Sequence, residues 1–561
     1  MTRRFAAAPR MLVASLLASS AAVTAVPARA PAQTLSPDSA LRVDEVFARF
    51  GATGPGCAVN VIRNGSSLYA KGYGLASVEL GVPISPHTLF DLGSTSKQFT
   101  AMSVLLLARD GKLSLDDDIR KFIPELPDFG ARITLRHLLT HTSGWRDYTD
   151  LMALQGWDER DHTVDRDATD VLRRQRTLNF APGSDFRYSN TGYFLMTLVV
   201  QRASGMSLAD FARQRIFEPL GMHATHYLTN SREVIMGKAT AYDPAPGGHY
   251  VVDMSNWEQI GDGGVQSSVE ELALWDANFT TGTVGGRALL DRLETRAVLA
   301  NGTQLQYALG LSVDSHRGLQ RISHSGAWGG YRAMTMRFPA QRLSVLMTCN
   351  RADANTMLLA TNVANVFLPA PPPAPTLAGG GRLRPAAGGE AARFAGLYVS
   401  DAGDIAAFTA RGDTLFSGTG DRAVALESQG NGRLRNPVNG SEERFAMDRG
   451  TRHLTVIPAA VGTLPVVLHG VEPAGDTLAA KLAEYVGRYT SPEIGGAWEL
   501  VLHERTLMLH RDRGDDEPLR PVFLDAFAGP ALIRFERDAG GRVASLALYS
   551  RGVHALRMTR Q

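Results

Sequence analysis

Between Leu368 and Glu390 the chain reads "LPAPPPAPTLAGGGRLRPAAGGE", and no other stretch limits the possible folds as strongly. Clustered prolines remove backbone donors and fix φ, while the glycines and small residues that follow relax the chain. The segment is therefore a linker, stiff at first and flexible later. What stands on its two sides differs in kind. Upstream, a helix from Leu41 leads into "GCAVNVIRNGSSLYAKGYGLAS", a strand, a turn at Asn64-Gly65 and a second strand. A helix-rich middle follows. "RISHSGAWGGYRAMTMRFPAQRLSVLMTCNR" then gives three consecutive strands, and a helix over 355–367 ends the block. Two strands and a helix first, with three strands and a helix last, predict an antiparallel sheet covered by helices.

Downstream the helical period disappears and the sequence repeats itself. "RFAGLYVS" (393–400) resembles "YVGRYTSP" (485–492), and "RFAMDRGTRHLTVI" (444–457) resembles "IRFERDAGGRVASLAL" (533–548). Both pairs are offset by about 90 residues, which predicts two small β-barrel-like units or two halves of one barrel. The organisation expected is a leader over 1–32, a first domain over 41–368, a linker over 369–392, and an all-β region over 393–561. That region divides into 393–470 and 482–561, and the linker marks it as an independent unit.

With 561 residues the chain is too long for a single ordinary core. Lys plus Arg (58) nearly balance Asp plus Glu (56) and form no basic block, which argues against nucleic acid as a partner. The start reads as an export signal: Arg3, Arg4 and Arg10 precede the apolar run "MLVASLLASSAAVTAV" and the small residues of "PARAPAQ". Pro31 disfavours cutting after Ala30, so cleavage is expected after Ala32, leaving an exported protein, periplasmic or secreted. No later segment reads as membrane-spanning. His137 and His141 have the spacing H-x-x-x-H without a third ligand pattern, and "RITLRHLLTHTSGW" reads better as a helix running into a turn. No metal or other cofactor is expected.

The chemistry points to "FDLGSTSKQFTAMSVLLLARDGKLSLDD" (90–117). Residues three apart on a helix share a face, so the amine of Lys97 reaches the hydroxyl of Ser94. A charged lysine is costly to bury, and a neutral amine beside a hydroxyl is a general base beside a nucleophile. Alone, an S-x-x-K string fits an ordinary exposed helix start better. A second string, "FAPGSDFRYSNTGYFLMTLVVQRASG", alternates Tyr188 and Asn190, although Asn190 also fits the N-cap of the helix that follows. In the third, "HSGAWGGY", His324 and Gly326 lie two apart on a strand, and the glycine permits close approach of a substrate backbone.

The three strings occur in this order around a helix-rich block. Together they resemble the serine β-lactamase and penicillin-recognising enzyme family, with its motifs S-x-x-K, Y-x-N and K-T-G or H-x-G. The resemblance runs from Val43 to Phe367, is closest to the branch of class C β-lactamases, D-aminopeptidases and esterases, and is supported by "ITLRHLLTHTSG", "IFEPLGMHATHY" and "GDGGVQSSVEELALW". It implies an α+β fold, a five-stranded antiparallel sheet flanked by helices, followed here by an all-β, barrel-like region of the kind D-aminopeptidases carry. It further implies that Ser94 is the acyl-accepting nucleophile, that Lys97 takes its proton, and that Tyr188 passes it to the leaving group. Asn190, His324, Ser325, Gly326 and Ala327 would bind substrate, with the N–H groups of Ser94 and Ala327 as the oxyanion hole. His324 stands where β-lactamases and transpeptidases have lysine, so recognition of a substrate carboxylate is expected to be weaker.

The function implied is covalent hydrolysis of a small peptide, amide or ester, D-aminopeptidase-like or esterase-like. A true β-lactamase or DD-peptidase, and a peptide-binding sensor or scaffold without activity, are the alternatives. An α/β-hydrolase lacks its nucleophile elbow: "GMSLA" at Gly205 misses the second glycine. In the family's sheet the strands that carry Cys57 and Cys349 are antiparallel neighbours, which leaves either a disulfide or two buried thiols.

Overall fold

The computed structural model describes residues 35–370, 390–419, 423–430, 433–437, 441–457, 465–474 and 476–561. The expected leader and most of the expected linker lie outside these residues. The first block is built on six strands: β1 (Cys57–Arg63), β2 (Ser66–Tyr73), β3 (Ser312–His316), β4 (Leu319–Trp328), β5 (Tyr331–Phe338) and β6 (Leu343–Cys349). Their order in the sheet is β3-β4-β5-β6-β1-β2, and all neighbours are antiparallel. One more strand is present than the sequence led us to expect. β3 is only five residues, "SVDSH", and it turns into β4 through Arg317 and Gly318, both at positive φ. That is turn geometry without the Asn-Gly signature that revealed the β1–β2 hairpin.

Period two sorts the sheet's side chains. Cys57, Val59 and Val61 of β1 join Met334, Met336 and Met347 in one apolar cluster, completed by Val43 and Phe47 of helix α1 (Pro37–Val46) or its end. Helix α6 (Thr356–Phe367) adds Leu359 and Val363 to the same face. Ala58 and Ile62, one residue out of phase, belong to the larger cluster on the other face. That face is covered by α5 (Val269–Thr281), with α2 (Lys97–Arg109) beside it and α4 (Asn190–Ser204) packed on α2; α3 (Tyr148–Leu154) lies near the start of α4. α2 is buried from Lys97 through Leu107, as its apolar sequence requires. Cys57 and Cys349 are directly opposed across β1 and β6 and are joined by a disulfide.

The region after the linker forms two β units. Nine short strands between Val399's strand (Gly396–Ser400) and Val466–Val471 make one antiparallel sheet. The eight strands from Gly487–Ser491 to Leu556–Arg560 close into a barrel. The linker had led us to expect that the region after it stands apart, but the barrel packs on the first block. Tyr489, Trp498, Leu500 and Val553 lie in one continuous apolar cluster with Leu154, Val171 and Leu172 of the first block. Trp498 Nε1 donates to the Leu154 carbonyl (3.0 Å), and the buried Arg146 pairs with Glu493 (2.5 Å). An apolar face shared with a neighbour cannot be told from an internal core by sequence pattern alone.

Candidate active site

Ser94 sits on a 3-10 turn, Gly93–Ser96, immediately before α2, so the α-helix itself starts at Lys97. The turn is fixed on all sides. Gly93 N–H donates to Asp91 Oδ1 (2.7 Å), Thr95 Oγ1 donates to the His324 carbonyl (3.3 Å), and Val265 N–H donates to Ser96 Oγ (3.1 Å). β4 lies against this turn so closely that a Cβ on Gly326 would fall 1.8 Å from the Leu92 carbonyl oxygen. Only glycine admits that approach, and it brings the Ala327 end of the strand beside Ser94.

Lys97 is completely buried, and its amine reaches three oxygens: Ser94 Oγ at 3.1 Å, Asn190 Oδ1 at 2.9 Å and the Asp262 carbonyl at 2.6 Å. Asn190 is the first residue of α4 and not its N-cap, which is Ser189. Its own N–H donates to Asp147 Oδ2, so the side chain is free to point at Lys97. Tyr188 presents its ring face to Lys97, whose nitrogen is 5.0 Å from the ring centre. The Tyr188 hydroxyl is buried and makes no hydrogen bond among the described residues.

Tyr188 is held in place by a histidine. His141 packs on it at 4.2 Å between ring centres and accepts from Ser189 N–H through Nδ1 (3.1 Å). Burial, together with the nearby charge of Lys97, pushes the His141 pKa far down and keeps the ring neutral. The other histidine of the H-x-x-x-H string, His137, completes a capping box with Thr134. The two histidines thus serve a cap and a ring stack.

His324 is buried and fully committed. Its Nδ1–H donates to the Ser325 carbonyl (2.7 Å), which leaves Nε2 to accept from the Tyr307 hydroxyl (3.0 Å). Burial and then the charge of Lys97 lower its pKa to about 3. The sequence placed this histidine near its titration point; within the fold it is neutral throughout the physiological range, and neither ring nitrogen is free for substrate.

Ser94, Tyr188, Asn190 and His324 open on one cavity of about 460 Å³, with Trp328 and Met357 as apolar parts of its wall. Three carboxylates that sequence reasoning did not single out also reach it. Asp147 accepts from Thr149 N–H (2.9 Å) as the cap of α3. Burial and Asp147 raise the pKa of Asp150. Asp262 accepts from the Tyr148 hydroxyl (3.0 Å), and burial raises its pKa to about 6 against the opposing charge of Lys97. Only the "GDGG" string offered a signal for Asp262. For Arg551 and Gly552, barrel residues that also line the cavity, the sequence offered none.

The family described as Beta-lactamase matches residues 43–368. This chain belongs to the β-lactamase family. Among its relatives, penicillin-binding protein 4* of Bacillus subtilis (strain 168) is 32% identical over 305 residues, 52% of this chain and 66% of that protein. A D-aminopeptidase of Gluconobacter oxydans (strain 621H) is 30% identical over 312 residues, 56% of this chain and 58% of that protein. The match spans less than two thirds of either relative. In fold, the chain is similar to the octameric penicillin-binding protein homologue from Pyrococcus abyssi, with a TM-score of 0.55 and 23% identity over 77% of this chain and 99% of that one.

Proposed function

We propose that this member of the β-lactamase family is a serine hydrolase that cleaves an amide or ester through an acyl-enzyme at Ser94, with D-aminopeptidase-like or esterase-like specificity. The observation that carries the reading is the set of three oxygens around Lys97 Nζ. For the transfer Lys97 acts in its unprotonated form, an amine with two N–H bonds and one lone pair. The N–H bonds stay on Asn190 Oδ1 and the Asp262 carbonyl, and the lone pair is left for the proton of Ser94 Oγ. Ser94 Oγ attacks the carbonyl carbon as its proton moves to Lys97. The N–H groups of Ser94 and Ala327 hold the oxyanion, a contribution of about 3–4 kcal/mol per donor. The proton then reaches the leaving group by way of the Tyr188 hydroxyl, the C–N or C–O bond breaks, and water repeats the sequence in reverse to free Ser94.

A binding protein without activity has no use for this arrangement of hydroxyl, amine and phenol. The committed hydrogen bonds of His324 weigh against a β-lactamase or DD-peptidase that depends on a cation in the third motif. The barrel turn at the cavity further supports a tail that limits substrate length. Export to the periplasm or medium belongs to the same proposal, supported by the signal-like sequence of residues 1–32 and by the disulfide.

A fluorophosphonate probe is expected to label the protein once, and Ser94→Ala to abolish labelling and turnover. Lys97→Ala and Tyr188→Phe should each cost about 10²–10⁴-fold. A panel of chromogenic esters, D-aminoacyl anilides and nitrocefin should be hydrolysed with nitrocefin the slowest. Labelling that survives Ser94→Ala refutes the proposed nucleophile, and nitrocefin as the best substrate refutes the specificity.

A further inference from the structure

One positive charge of the cavity comes from the far end of the chain. Two barrel strands, β7 (Val543–Tyr549) and β8 (Leu556–Arg560), are joined by a turn that docks at the start of α3. Ser550 Oγ and Gly552 N–H both donate to Asp150 Oδ2 (2.6 Å each), and Asp147 N–H donates to the Gly552 carbonyl (2.9 Å). Asn179 Nδ2 donates to the same carbonyl (2.9 Å), and Arg187 Nη1 donates to the Arg551 carbonyl (3.0 Å). A Cβ on Gly552 would lie 2.2 Å from Asp147 Cβ, so the turn is seated as tightly as a backbone allows.

The main chain on both sides of Arg551 is therefore fixed, while its side chain is exposed at the cavity. The guanidinium carbon stands 5.3 Å from the centre of the Tyr188 ring. Among the described residues the guanidinium enters no ion pair within 4 Å and donates no hydrogen bond. The other charged groups of the cavity each make at least one hydrogen bond within the protein. Arg332 Nη1 donates to the Gly329 and Tyr331 carbonyls (2.6 and 2.7 Å), and Asp147 and Asp150 accept main-chain N–H groups. Lys97 is held among three oxygens, with Asp262 close beside it, and His324 is neutral.

We infer that Arg551 reads a carboxylate on the leaving group of an open-chain substrate, supplying from the barrel the cation that the third motif of this chain lacks. The inference rests on the acyl-enzyme reading of Ser94. The position favours the leaving group because Arg551 stands over Tyr188, the residue assigned to protonate it. A guanidinium presents a planar fork that matches a carboxylate through two parallel bonds. It approaches from the Tyr188 side and not from β4, so a flexible leaving group turns toward it where a carboxylate fixed on a rigid ring does not. Short peptides with a free C-terminal carboxylate are the class this selects over the corresponding amides.

The test uses the full-length protein and two thioesters with one D-aminoacyl group, whose leaving thiols are mercaptoacetate and mercaptoacetamide. They are near-isosteric but differ in charge and in thiol acidity, so each rate is taken relative to the uncatalysed hydrolysis of the same ester, and thiol release reports both. Wild type is expected to favour the mercaptoacetate ester in kcat/KM by about 10–100-fold, the range of a hydrogen bond to a charged group. Arg551→Gln should bring the ratio close to one, Arg551→Lys should keep part of it, and high salt should lower the wild-type ratio. A third ester, a succinyl group on mercaptoacetamide, carries the charge on the acyl side and should gain nothing.

Equal rates on the first pair in wild type, a preference that survives Arg551→Gln, or a gain confined to the succinyl ester overturns the assignment of Arg551. In each of those cases turnover itself leaves Ser94 chemistry standing. No turnover of any thioester, with Ser94 unlabelled, strikes the acyl-enzyme reading and this inference with it. If Arg551→Gln no longer labels at Ser94, Arg551→Lys and the salt dependence decide: a ratio unmoved by both overturns the assignment.

Discussion

The two β units after the linker look alike in sequence and at their first strands, and they do opposite things in the molecule. In the nine-stranded unit the Tyr398 hydroxyl donates to the Phe394 carbonyl (2.8 Å); in the barrel the Tyr489 hydroxyl donates to the Tyr485 carbonyl (2.9 Å). Gly396 and Gly487 both adopt positive φ, each facing an arginine, Arg452 and Arg560, that donates to the carbonyl of the residue before the glycine, Ala395 and Val486. From this shared start they diverge. The nine-stranded unit keeps its own small core around Tyr398, Phe408, Phe445 and Leu454 and meets the barrel through a few side chains such as Val399, Ala526 and Leu532. The barrel merges its core with the first block, buries Arg146 against Glu493, and sends Arg551 to the cavity that holds Ser94. The two units share a local framework at their first strands, and docking sets which of them reaches the cavity.

The contrast can be broken most forcefully at the buried ion pair. Arg146→Ala leaves Glu493 without its partner, and breaking such a pair costs about 3–5 kcal/mol. The expected outcome is a large fall in thermal stability together with weaker Ser94 labelling, because barrel and catalytic block share the damage. A variant as stable and as reactive as wild type would show that the barrel is merely attached.

Phe445→Ala removes a central ring from the nine-stranded unit, a change worth about 3–5 kcal/mol to its core. Since that core is separate, only a low-temperature transition should move, and Ser94 labelling should persist above it. Loss of both in one cooperative transition would merge the two units again.

The disulfide sharpens the same division from the other side. Alkylation without reductant should modify neither Cys57 nor Cys349, and two modified cysteines would rule the bond out. Cys57→Ser with Cys349→Ser should lower the catalytic transition by roughly 2–4 kcal/mol and leave that of the nine-stranded unit in place.

The smallest effect is a pH dependence in the nine-stranded unit. Burial raises the pKa of Glu443 to about 7, above its ordinary 4.5. Its folded state therefore holds the proton more tightly, and its contribution to stability falls as pH rises from about 4.5 to about 7. Glu443→Gln should raise that unit's melting temperature relative to wild type at pH 8 and change it little at pH 4.5. A benefit that is equal at both pH values would show that Glu443 does not titrate in this range.

What the sequence determined was local and periodic. Alternation in β1, β4, β5 and β6, the apolar run behind Lys97, and the three spaced motifs all rest on short-range rules, so Ser94, Lys97, Tyr188, Asn190 and the strand of His324 were legible residue by residue. Even there, the protonation of His324 was misjudged, since burial beside Lys97 and the bond from Tyr307 depend on neighbours 17 and more than 200 residues away. β3 escaped because a five-residue edge strand with an unmarked turn carries too little pattern. The tertiary structure alone decided that the Asp262 carbonyl meets the amine of Lys97, that Asp147 holds the N–H of Asn190, that His141 supports Tyr188, and that the barrel joins the core of the first block. It also decided that Arg551 stands at a site built around Ser94. The physical reason is common to all of these: a charge or an apolar face acts on whatever lies within a few ångströms, and which residues lie there is set by how distant elements pack, which no local period in the chain encodes.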